Sequence, residues 1–377
     1  MKSISRVLVF GMARQRLGGI ETFLLNMNKY MSKEVVFDYV VLDGPEKCIH
    51  TESIEQRNGK VLYVKSYTKN IIRYFLNLTK LICDERKTHE VAYINLFSMV
   101  HILPALICKF NGYKVVLHSH NSNMHSQNII YRMLHSINRW LFGGNKKFIR
   151  LTCSQRAAEF MFGKGKKRNA TMIHNAVVTD RFRFSEQYRN EIRQELSLDN
   201  EIKIIGFVGR LSYQKNPLFV VKIFSELCKL RNDCMLLMIG DGEYWEKVEE
   251  EISNEGIKDK VILLHSQTNI ERYYSAMDVF ILPSLFEGLP VVLVETQAEG
   301  LPSVVSAEAV TKEACVRCDF IIYTSVHEKP EMWAIIIKDE LEKIHNRIEW
   351  NDVVSNSAFN ILTESKRLQD ILVGRNN

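Results

Sequence analysis

Two glutamates eight residues apart, within the run PSLFEGLPVVLVE, have the spacing of a polar ligand site. Pro290 marks the expected start of a helix, so Glu287 lies in the preceding loop and Glu295 in the second helical turn. Carboxylates accept hydrogen bonds from paired hydroxyl groups such as those of sugars. The amides of Gly288 and Leu289, at the helix N-terminus, would donate to the same ligand.

Cationic residues stand at a second strand-to-helix junction, in the run GFVGRLSYQKNP. Gly209 and Arg210 follow the strand, and Lys215 precedes a helix that opens at Pro217. The planar guanidinium, the ammonium group and the helix N-terminus would together hold a diphosphate without a metal ion. Taken alone, the pattern also fits cations on a solvated surface.

A pair of glycines follows the first strand of the chain. Gly18 and Gly19 open a helix, where glycine lets the backbone approach an anionic ligand closely. The run is neither GxGxxG nor GxxxxGK[ST], so it predicts neither a nicotinamide dinucleotide site nor a P-loop. A glycine turn used only for packing remains the alternative.

Two histidines and an asparagine end another strand of the first half, as His118-Ser-His120-Asn121. Ring nitrogens at a strand end can contact a ligand, but they also readily bind backbone groups of a loop. The residues alone leave both interpretations open.

The elements that must position these residues alternate between strand and helix along the whole chain. Such alternation is typical of parallel, doubly wound sheets. We therefore predict an α/β fold of two doubly wound, Rossmann-like domains that face each other across a cleft, with ligands at the carboxyl ends of the strands. The expected domains are residues 1–177 and 178–357, and a C-terminal helix at about 358–377 is expected to pack back on the first.

Length and composition exclude several classes of protein. The 377 residues are 46% hydrophobic and 25% charged, which excludes a disordered chain, a collagen-like fibre and a disulfide-stapled miniprotein. The eight cysteines and the lack of an export signal predict reduced thiols in the cytoplasm. Cys315-x-x-Cys318 has no second ligand pair at matching spacing, so we predict no metal site.

Charge is divided unevenly between the two halves. Residues 1–175 contain 27 Lys and Arg against 11 Asp and Glu, a net charge of +16, and the remaining residues have a net charge of −10. Within the basic half, residues 128–141 place apolar side chains and Trp140 at helical spacing beside arginines. That pattern fits a helix in an anionic membrane interface, and it also fits a helix packed on its own sheet.

Five motifs together carry a family resemblance. They are GGxET after the first strand, GRLxxQKNP, the GDGE of residues 240–243, AMDVFILPS at residues 276–284, and Glu287 with Glu295. The chain resembles the retaining glycosyltransferases of family 4, which have the GT-B fold, from about residue 5 to about residue 310. The helix around Glu331-Met-Trp333 is similar to one in a polysaccharide-biosynthesis branch of that family.

The resemblance implies roles for particular residues. Glu287 would bind the transferred sugar, Glu295 the ribose, and Arg210 with Lys215 the diphosphate, whose developing charge they would stabilise. Gly18, Gly19, Gly209, Gly288 and Leu289 would line the donor, and Ser266 and Gln267 would lie near the base. His120, with His118 as the second choice and Asn121 beside it, would contact the donor sugar near the reacting centre.

The resemblance also implies an activity. The donor would be a UDP-sugar or, alternatively, a GDP-sugar, and no cofactor or metal ion would be needed. The acceptor would be a saccharide or lipid-linked saccharide in capsular, exopolysaccharide or other cell-surface glycan assembly. The enzyme would lie in the cytoplasm, peripherally bound to the anionic inner face of the membrane, without nucleic acid as a partner. Alternatives are a nucleotide-sugar epimerase of the same fold and a non-catalytic sugar- or nucleic-acid-binding protein.

Overall fold

The chain divides into two compact units of α/β structure. A computed structural model describes residues 4–15, 18–44, 46–65, 70–124, 128–165, 169–316 and 318–374, with the backbone alone for Cys318. The first unit contains residues 1–176 and 361–377, and the second contains residues 177–360. The chain thus leaves the first unit once and returns to it with its last helix.

The first unit is built on a parallel sheet of seven strands. In chain order they are β1 (Ser5–Phe10), β2 (Val35–Leu42), β3 (Val61–Val64), β4 (His89–Leu96), β5 (Lys114–Ser119), β6 (Phe148–Thr152) and β7 (Thr171–Met172). Their spatial order is β3-β2-β1-β4-β5-β6-β7. Most of these strands are runs of Val, Ile, Leu and Tyr that are buried on both faces, as parallel strands between helical layers must be.

Helices connect these strands and cover the sheet. They are α1 (Gly19–Tyr30), α2 (Thr51–Glu55), α3 (Ile71–Glu85), α4 (Leu103–Phe110), α5 (Ile129–Phe142) and α6 (Gln155–Phe162), with α14 (Ile361–Val373) from the chain end. The last helix is bound to this unit by hydrogen bonds. The Lys114 ammonium donates to the carbonyls of Ile371 and Leu372, and the Ser32 amide donates to Gln369.

Helix α5 does not bury its apolar face against the sheet, as one of the two interpretations of its sequence expected. Its large apolar side chains are exposed, and His135 is its buried residue. The hydrophobic cluster beneath this face of the sheet is filled mainly from α3, α4 and α6, and Phe142, the last residue of α5, packs against it. The apolar spacing of residues 128–141 therefore predicted the helix correctly, while packing of that apolar face against its own sheet was the wrong alternative.

The second unit is built on a parallel sheet of six strands. They are β8 (Lys203–Val208), β9 (Cys234–Ile239), β10 (Val261–Leu264), β11 (Val279–Leu282), β12 (Ser303–Ser306) and β13 (Ile321–Thr324). Their order is β10-β9-β8-β11-β12-β13. From β8 the chain adds β9 and β10 on one side of the sheet. It then adds β11, β12 and β13 on the other side of β8, so β8 and β11 form the switch point of the sheet.

Helices of the second unit follow its strands, and the two expected prolines lie at helix starts. The helices are α7 (Glu186–Glu195), α8 (Pro217–Leu230), α9 (Trp245–Asn254), α10 (Ile270–Ala276), α11 (Val291–Ala298), α12 (Pro330–Leu341) and α13 (Trp350–Ser355). Pro217 is the first residue of α8, and Pro290 immediately precedes α11. Both helices therefore start beside the carboxyl edge of the sheet, where the candidate residues lie. No helix among the described residues is both long and apolar enough to cross a membrane.

Candidate active site

The switch point of the second sheet brings two of the predicted site loops side by side. Gly209 and Arg210 follow β8, and Glu287 lies in the loop after β11, the neighbouring strand. In doubly wound sheets, the crevice outside the carboxyl ends of two such strands is where ligands bind. Strand order sets the position of this crevice, because the connections that follow the two strands turn to opposite faces of the sheet.

Lys215 and Glu287 form a direct ion pair at this point. Nζ of Lys215 lies 2.7 Å from Oε1 of Glu287, with 15% and 6% of the two side chains exposed. Gln214 joins the same two loops. Its side-chain amide donates to the Phe286 carbonyl at 3.0 Å, and its main-chain carbonyl accepts from the Leu285 amide. The lysine expected to bind diphosphate and the glutamate expected to bind sugar are thus in contact.

The turn after β9 requires glycine because the turn after β8 approaches it closely. A Cβ on Gly240 would lie 2.0 Å from the Gly209 carbonyl oxygen, so no larger residue fits. Arg210, in contrast, is exposed, and its Nη2 lies 3.0 Å from Oε2 of Glu243 in the loop after β9. The two predicted diphosphate cations therefore have different partners, and only Lys215 pairs with Glu287.

Glu295 lies in the second turn of α11 and titrates abnormally. Burial raises the pKa of its carboxyl group to about 7, although a hydrogen bond from the Tyr274 hydroxyl at 2.9 Å and the charges of Arg181 and Lys215 oppose that rise. No side chain caps the start of α11, since its N-cap residue is Pro290. Gly288 and Leu289 directly precede that start, as predicted.

The loop after β10 is organised by an aspartate from the loop after β9. Oδ2 of Asp241 accepts from the Ser266 amide at 3.0 Å, and its Oδ1 lies 2.6 Å from Nδ1 of His265. These hydrogen bonds lower the pKa of Asp241 to about 2. The His265 ring stacks on Trp245 at 4.1 Å, and the Gln267 side chain donates to the His265 carbonyl. Ser266 and Gln267 therefore lie in an exposed, internally bonded loop.

The glycine pair of the first unit is bound by a buried glutamate. The carboxylate of Glu21 accepts from the Gly18 amide at 3.0 Å and from the Ala13 amide at 2.8 Å. A Cβ on Gly19 would meet no heavy atom within 4 Å among the described residues. Packing within this unit therefore gives no reason for glycine at position 19, whereas Glu21 accounts for the shape of the loop.

His120 follows β5 and has a defined tautomer. Its Nε2 lies 2.8 Å from Oδ1 of Asn95, whose Nδ2 donates to the Phe10 carbonyl. The Asn95 oxygen is therefore an acceptor, Nε2 bears the proton, and Nδ1 is left as an acceptor. Burial lowers the pKa of His120 to about 3, so the ring is neutral at physiological pH.

His118 lies behind His120 and is completely buried. Its Nδ1 lies 2.5 Å from the Tyr93 hydroxyl, and the two histidine rings are 4.1 Å apart. Burial, with a smaller contribution from His120, lowers the pKa of His118 well below its usual value. Asn121 reaches the Phe97 carbonyl at 3.5 Å. Of the two histidines, His120 is thus the one nearer to the surface.

Several residues that organise these loops were not assigned roles from the sequence. Gln214 and Glu21 lie inside motifs that were recognised, so their position was a usable signal. Tyr274 and Asn95 gave no such signal, because each meets its partner across 21 or more residues of chain. Contacts of that kind depend on strand order, which residue types do not reveal.

Comparison with known proteins agrees with this architecture. Residues 188–334, which lie in the second unit and include Lys215, Glu287 and Glu295, match the family model described as Glycosyl transferases group 1. The whole chain superposes on the Anabaena protein HepE, in a crystal structure with UDP, with a TM-score of 0.79 at 17% identity, covering 98% of this chain and 100% of HepE. The chain has the GT-B fold, and its second unit is similar to the group 1 glycosyltransferases.

Two relatives match most of the chain. EpsF of Bacillus subtilis (strain 168), named as a glycosyltransferase, is 28% identical over 340 residues, which cover 89% of this chain and 87% of EpsF. A Campylobacter jejuni protein is 21% identical over 294 residues, covering 76% and 75% of the two chains. Its name specifies an α-1,4-N-acetyl-D-galactosaminyltransferase acting on a saccharide linked to PP-undecaprenol. The predicted family resemblance and the two-domain α/β fold are confirmed, while retention of configuration stays a prediction.

Proposed function

We propose that this protein is a glycosyltransferase that moves a sugar from a nucleoside-diphosphate sugar to a saccharide or lipid-linked saccharide in the assembly of a cell-surface polysaccharide. The observation that carries the proposal is the Lys215–Glu287 contact at the switch point of the second sheet. A UDP-sugar is the preferred donor, since HepE binds UDP and UDP-glucose, and a GDP-sugar is the alternative. The name of the Campylobacter relative supports a lipid-linked acceptor.

The ion pair suggests how donor binding begins. A diphosphate carries more negative charge than one carboxylate, so Lys215 would turn from Glu287 to the phosphate oxygens. The glutamate would then accept hydrogen bonds from hydroxyls of the transferred sugar. Arg210, which is exposed beside the same loop, would add a second cation to the diphosphate.

Other residues of the second unit would hold the remainder of the donor. Glu295 would bind the ribose, while the amides of Gly288 and Leu289, at the uncapped start of α11, would donate to an anionic or hydroxyl oxygen. Gly209 would let the backbone approach the phosphates. Ser266 and Gln267, in the exposed loop after β10, would contact the base.

The first unit would contribute a glycine loop and a histidine. Gly18 and Gly19 would approach the phosphates, which would explain glycine at position 19, where a Cβ meets no heavy atom within 4 Å among the described residues. Nδ1 of His120 would accept a hydrogen bond from a sugar hydroxyl, because its Nε2 proton is already donated to Asn95. His118 and Asn121 would support that ring and the loop that follows it.

We propose that transfer proceeds with retention and without a metal ion. The bond between the sugar anomeric carbon and the diphosphate oxygen would break first, with the developing phosphate charge stabilised by Lys215 and Arg210. The acceptor hydroxyl would attack from the same face, and its proton would pass to the departing phosphate oxygen. The two cations would serve the purpose that Mg²⁺ serves in other phosphate sites.

The same proposal places the enzyme at the inner face of the membrane, where a lipid-linked acceptor would be presented. The basic first half of the chain, with its net charge of +16 over residues 1–175, supports attraction to an anionic surface. Peripheral attachment of a cytoplasmic protein would satisfy this arrangement.

A stereochemical transfer assay tests the proposal. Full-length protein is incubated in EDTA with UDP- and GDP-sugars and a polyprenyl-diphosphate N-acetylglucosamine acceptor, and the product anomer is determined by NMR. We expect nucleotide release that requires the acceptor and a product with the donor's anomeric configuration. An inverted product would refute retention, and loss of activity in EDTA would refute metal independence. Release at the same rate without acceptor would favour an epimerase or a hydrolase.

A further inference from the structure

Helix α5 has its polarity reversed relative to a helix that packs on a sheet. Seven large apolar side chains of this helix are 44–73% exposed: Ile129, Ile130, Met133, Leu134, Ile137, Trp140 and Leu141. At 3.6 residues per turn they occupy one arc of roughly 140°. Soluble monomers rarely expose a contiguous apolar surface of this kind unless it contacts a partner.

The inner side of α5 is polar and fixes the rotation of the helix. His135 accepts from the Met99 amide at Nδ1 and lies 3.2 Å from the Phe160 carbonyl at Nε2, with its ring stacked on Phe160. Asn138 donates to the Met99 carbonyl at 3.0 Å. Turning the apolar arc inward would break these hydrogen bonds, so the outward direction of the arc is built into the unit.

The charge around α5 identifies the kind of partner. Between Glu90 and Glu159 the chain contains no Asp or Glu, but it contains eight Lys and Arg. Arg132 is exposed beside the apolar arc, and Lys146 and Lys147 are exposed just beyond the helix. A second copy of this surface would be repelled, whereas an anionic lipid surface offers both hydrocarbon and negative charge.

We propose that α5 lies in the interface of an anionic lipid membrane. The seven apolar side chains insert below the headgroups, and Arg132, Lys146 and Lys147 bind the headgroup phosphates. Apolar insertion and charge act together here, and stable membrane attachment commonly needs two such signals. The inference deepens the proposed function and rests on it in one respect. The membrane surface that it names is the one that would present the proposed lipid-linked acceptor.

Vesicle co-sedimentation of the full-length protein, without substrates, tests the inference. The vesicles contain either phosphatidylglycerol with phosphatidylethanolamine or phosphatidylcholine alone. We expect binding to the first kind and not to the second. Ile137→Ser/Trp140→Ser and Arg132→Gln/Lys146→Gln/Lys147→Gln should each weaken binding about tenfold or more. The melting temperature should be unchanged, since all these side chains lie on the surface.

A matched control comes from the second unit. Ile344 and Ile348 are 101% and 60% exposed there, so Ile344→Ser/Ile348→Ser removes two surface isoleucines away from α5 and should leave vesicle binding unchanged. Equal binding by wild type and Ile137→Ser/Trp140→Ser would overturn the inference. A lipid-free dimer that this variant dissociates, with vesicle binding unaltered, would assign the face to a second copy instead.

UDP binding, measured on the same samples, separates this inference from the proposed function. We expect every α5 variant to bind UDP as the wild type does, because no substituted residue belongs to the donor site. Wild type that binds UDP but neither kind of vesicle would overturn the membrane inference alone. Wild type that binds vesicles but not UDP would overturn the proposed donor site and leave the inference standing.

Discussion

At the scale of single residues, the Lys215–Glu287 contact is an ion pair largely shielded from water. Leaving one charge of such a pair without its partner is costly, because the remaining group has lost hydration and is not compensated. Removal of either charge alone should therefore destabilise the free protein. The energetic coupling between the two charges can be measured in the free protein, separately from their role in donor binding.

We expect a double-mutant cycle of Lys215→Met and Glu287→Gln to give a coupling of about 1–3 kcal/mol in the free energy of unfolding. Urea denaturation followed by tryptophan fluorescence measures it, since three of the four tryptophans lie in the second unit. The more exposed pair Lys222–Glu251, 3.4 Å apart, is the control and should give less than about 1 kcal/mol. Equal coupling in the two cycles would contradict the account.

Glu295 makes the stability of the second unit depend on pH. Burial raises the pKa of its folded-state carboxyl to about 7, from an ordinary value of 4.5. The folded state therefore holds this proton more tightly than the unfolded state. The resulting stability is fully present below about pH 4.5 and is lost as pH rises through about 7. The pKa of Glu299, also raised to about 7 by burial, acts in the same direction.

We expect Glu295→Gln to flatten this dependence. Between pH 5 and pH 8 the melting temperature of the wild type should fall by a few degrees more than that of the variant, because glutamine has no proton to lose. Glu249→Gln, on the exposed side of α9, provides the control and should follow the wild type. Parallel curves for wild type and Glu295→Gln would show that the carboxyl is not held protonated.

At the scale of elements, the loop between β1 and α1 contains glycines of two kinds. Gly11 has φ of 99°, and a Cβ there would lie 2.2 Å from the Asn95 carbonyl oxygen, so the fold requires glycine. Gly19 has no such neighbour among the described residues. Glu21 maintains the loop by accepting from the Gly18 and Ala13 amides.

Alanine substitution should separate these two requirements. Gly19→Ala should keep the wild-type melting temperature and weaken binding of a UDP-sugar about tenfold, because the added methyl group would meet the ligand. Gly11→Ala should lower the melting temperature by several degrees, because of strain and overlap with Asn95. Thermal melting and calorimetric titration measure both effects. Unchanged donor binding by Gly19→Ala would assign that glycine to local chain geometry.

The elements also show how far sequence reasoning could go. The prolines at 217 and 290 predicted the starts of α8 and α11 to within one residue, because such signals are local. The C-terminal helix was expected at about residues 358–377, and the structure has a helix at Ile361–Val373. The direction of the α5 apolar face was undecided, since periodicity gives the existence of a face and not what covers it.

At the scale of the whole molecule, two doubly wound sheets share one plan. In both, the first strand lies inside the sheet, and the predicted motifs follow strands at or near the switch point. The sequence identified these motifs because they follow strands, but it did not identify Lys215 and Glu287 as contact partners. They are 72 residues apart, and only the adjacency of β8 and β11 brings them together.

The central claim is that Lys215, at the switch point of the second sheet, binds the diphosphate of the donor. Calorimetric titration of UDP into the full-length protein tests it most directly, with Lys215→Met compared with Lys222→Met, an exposed lysine of α8. We predict that Lys215→Met weakens UDP binding about tenfold or more while Lys222→Met leaves it unchanged. UDP binding by Lys215→Met that equals the wild type would contradict the claim.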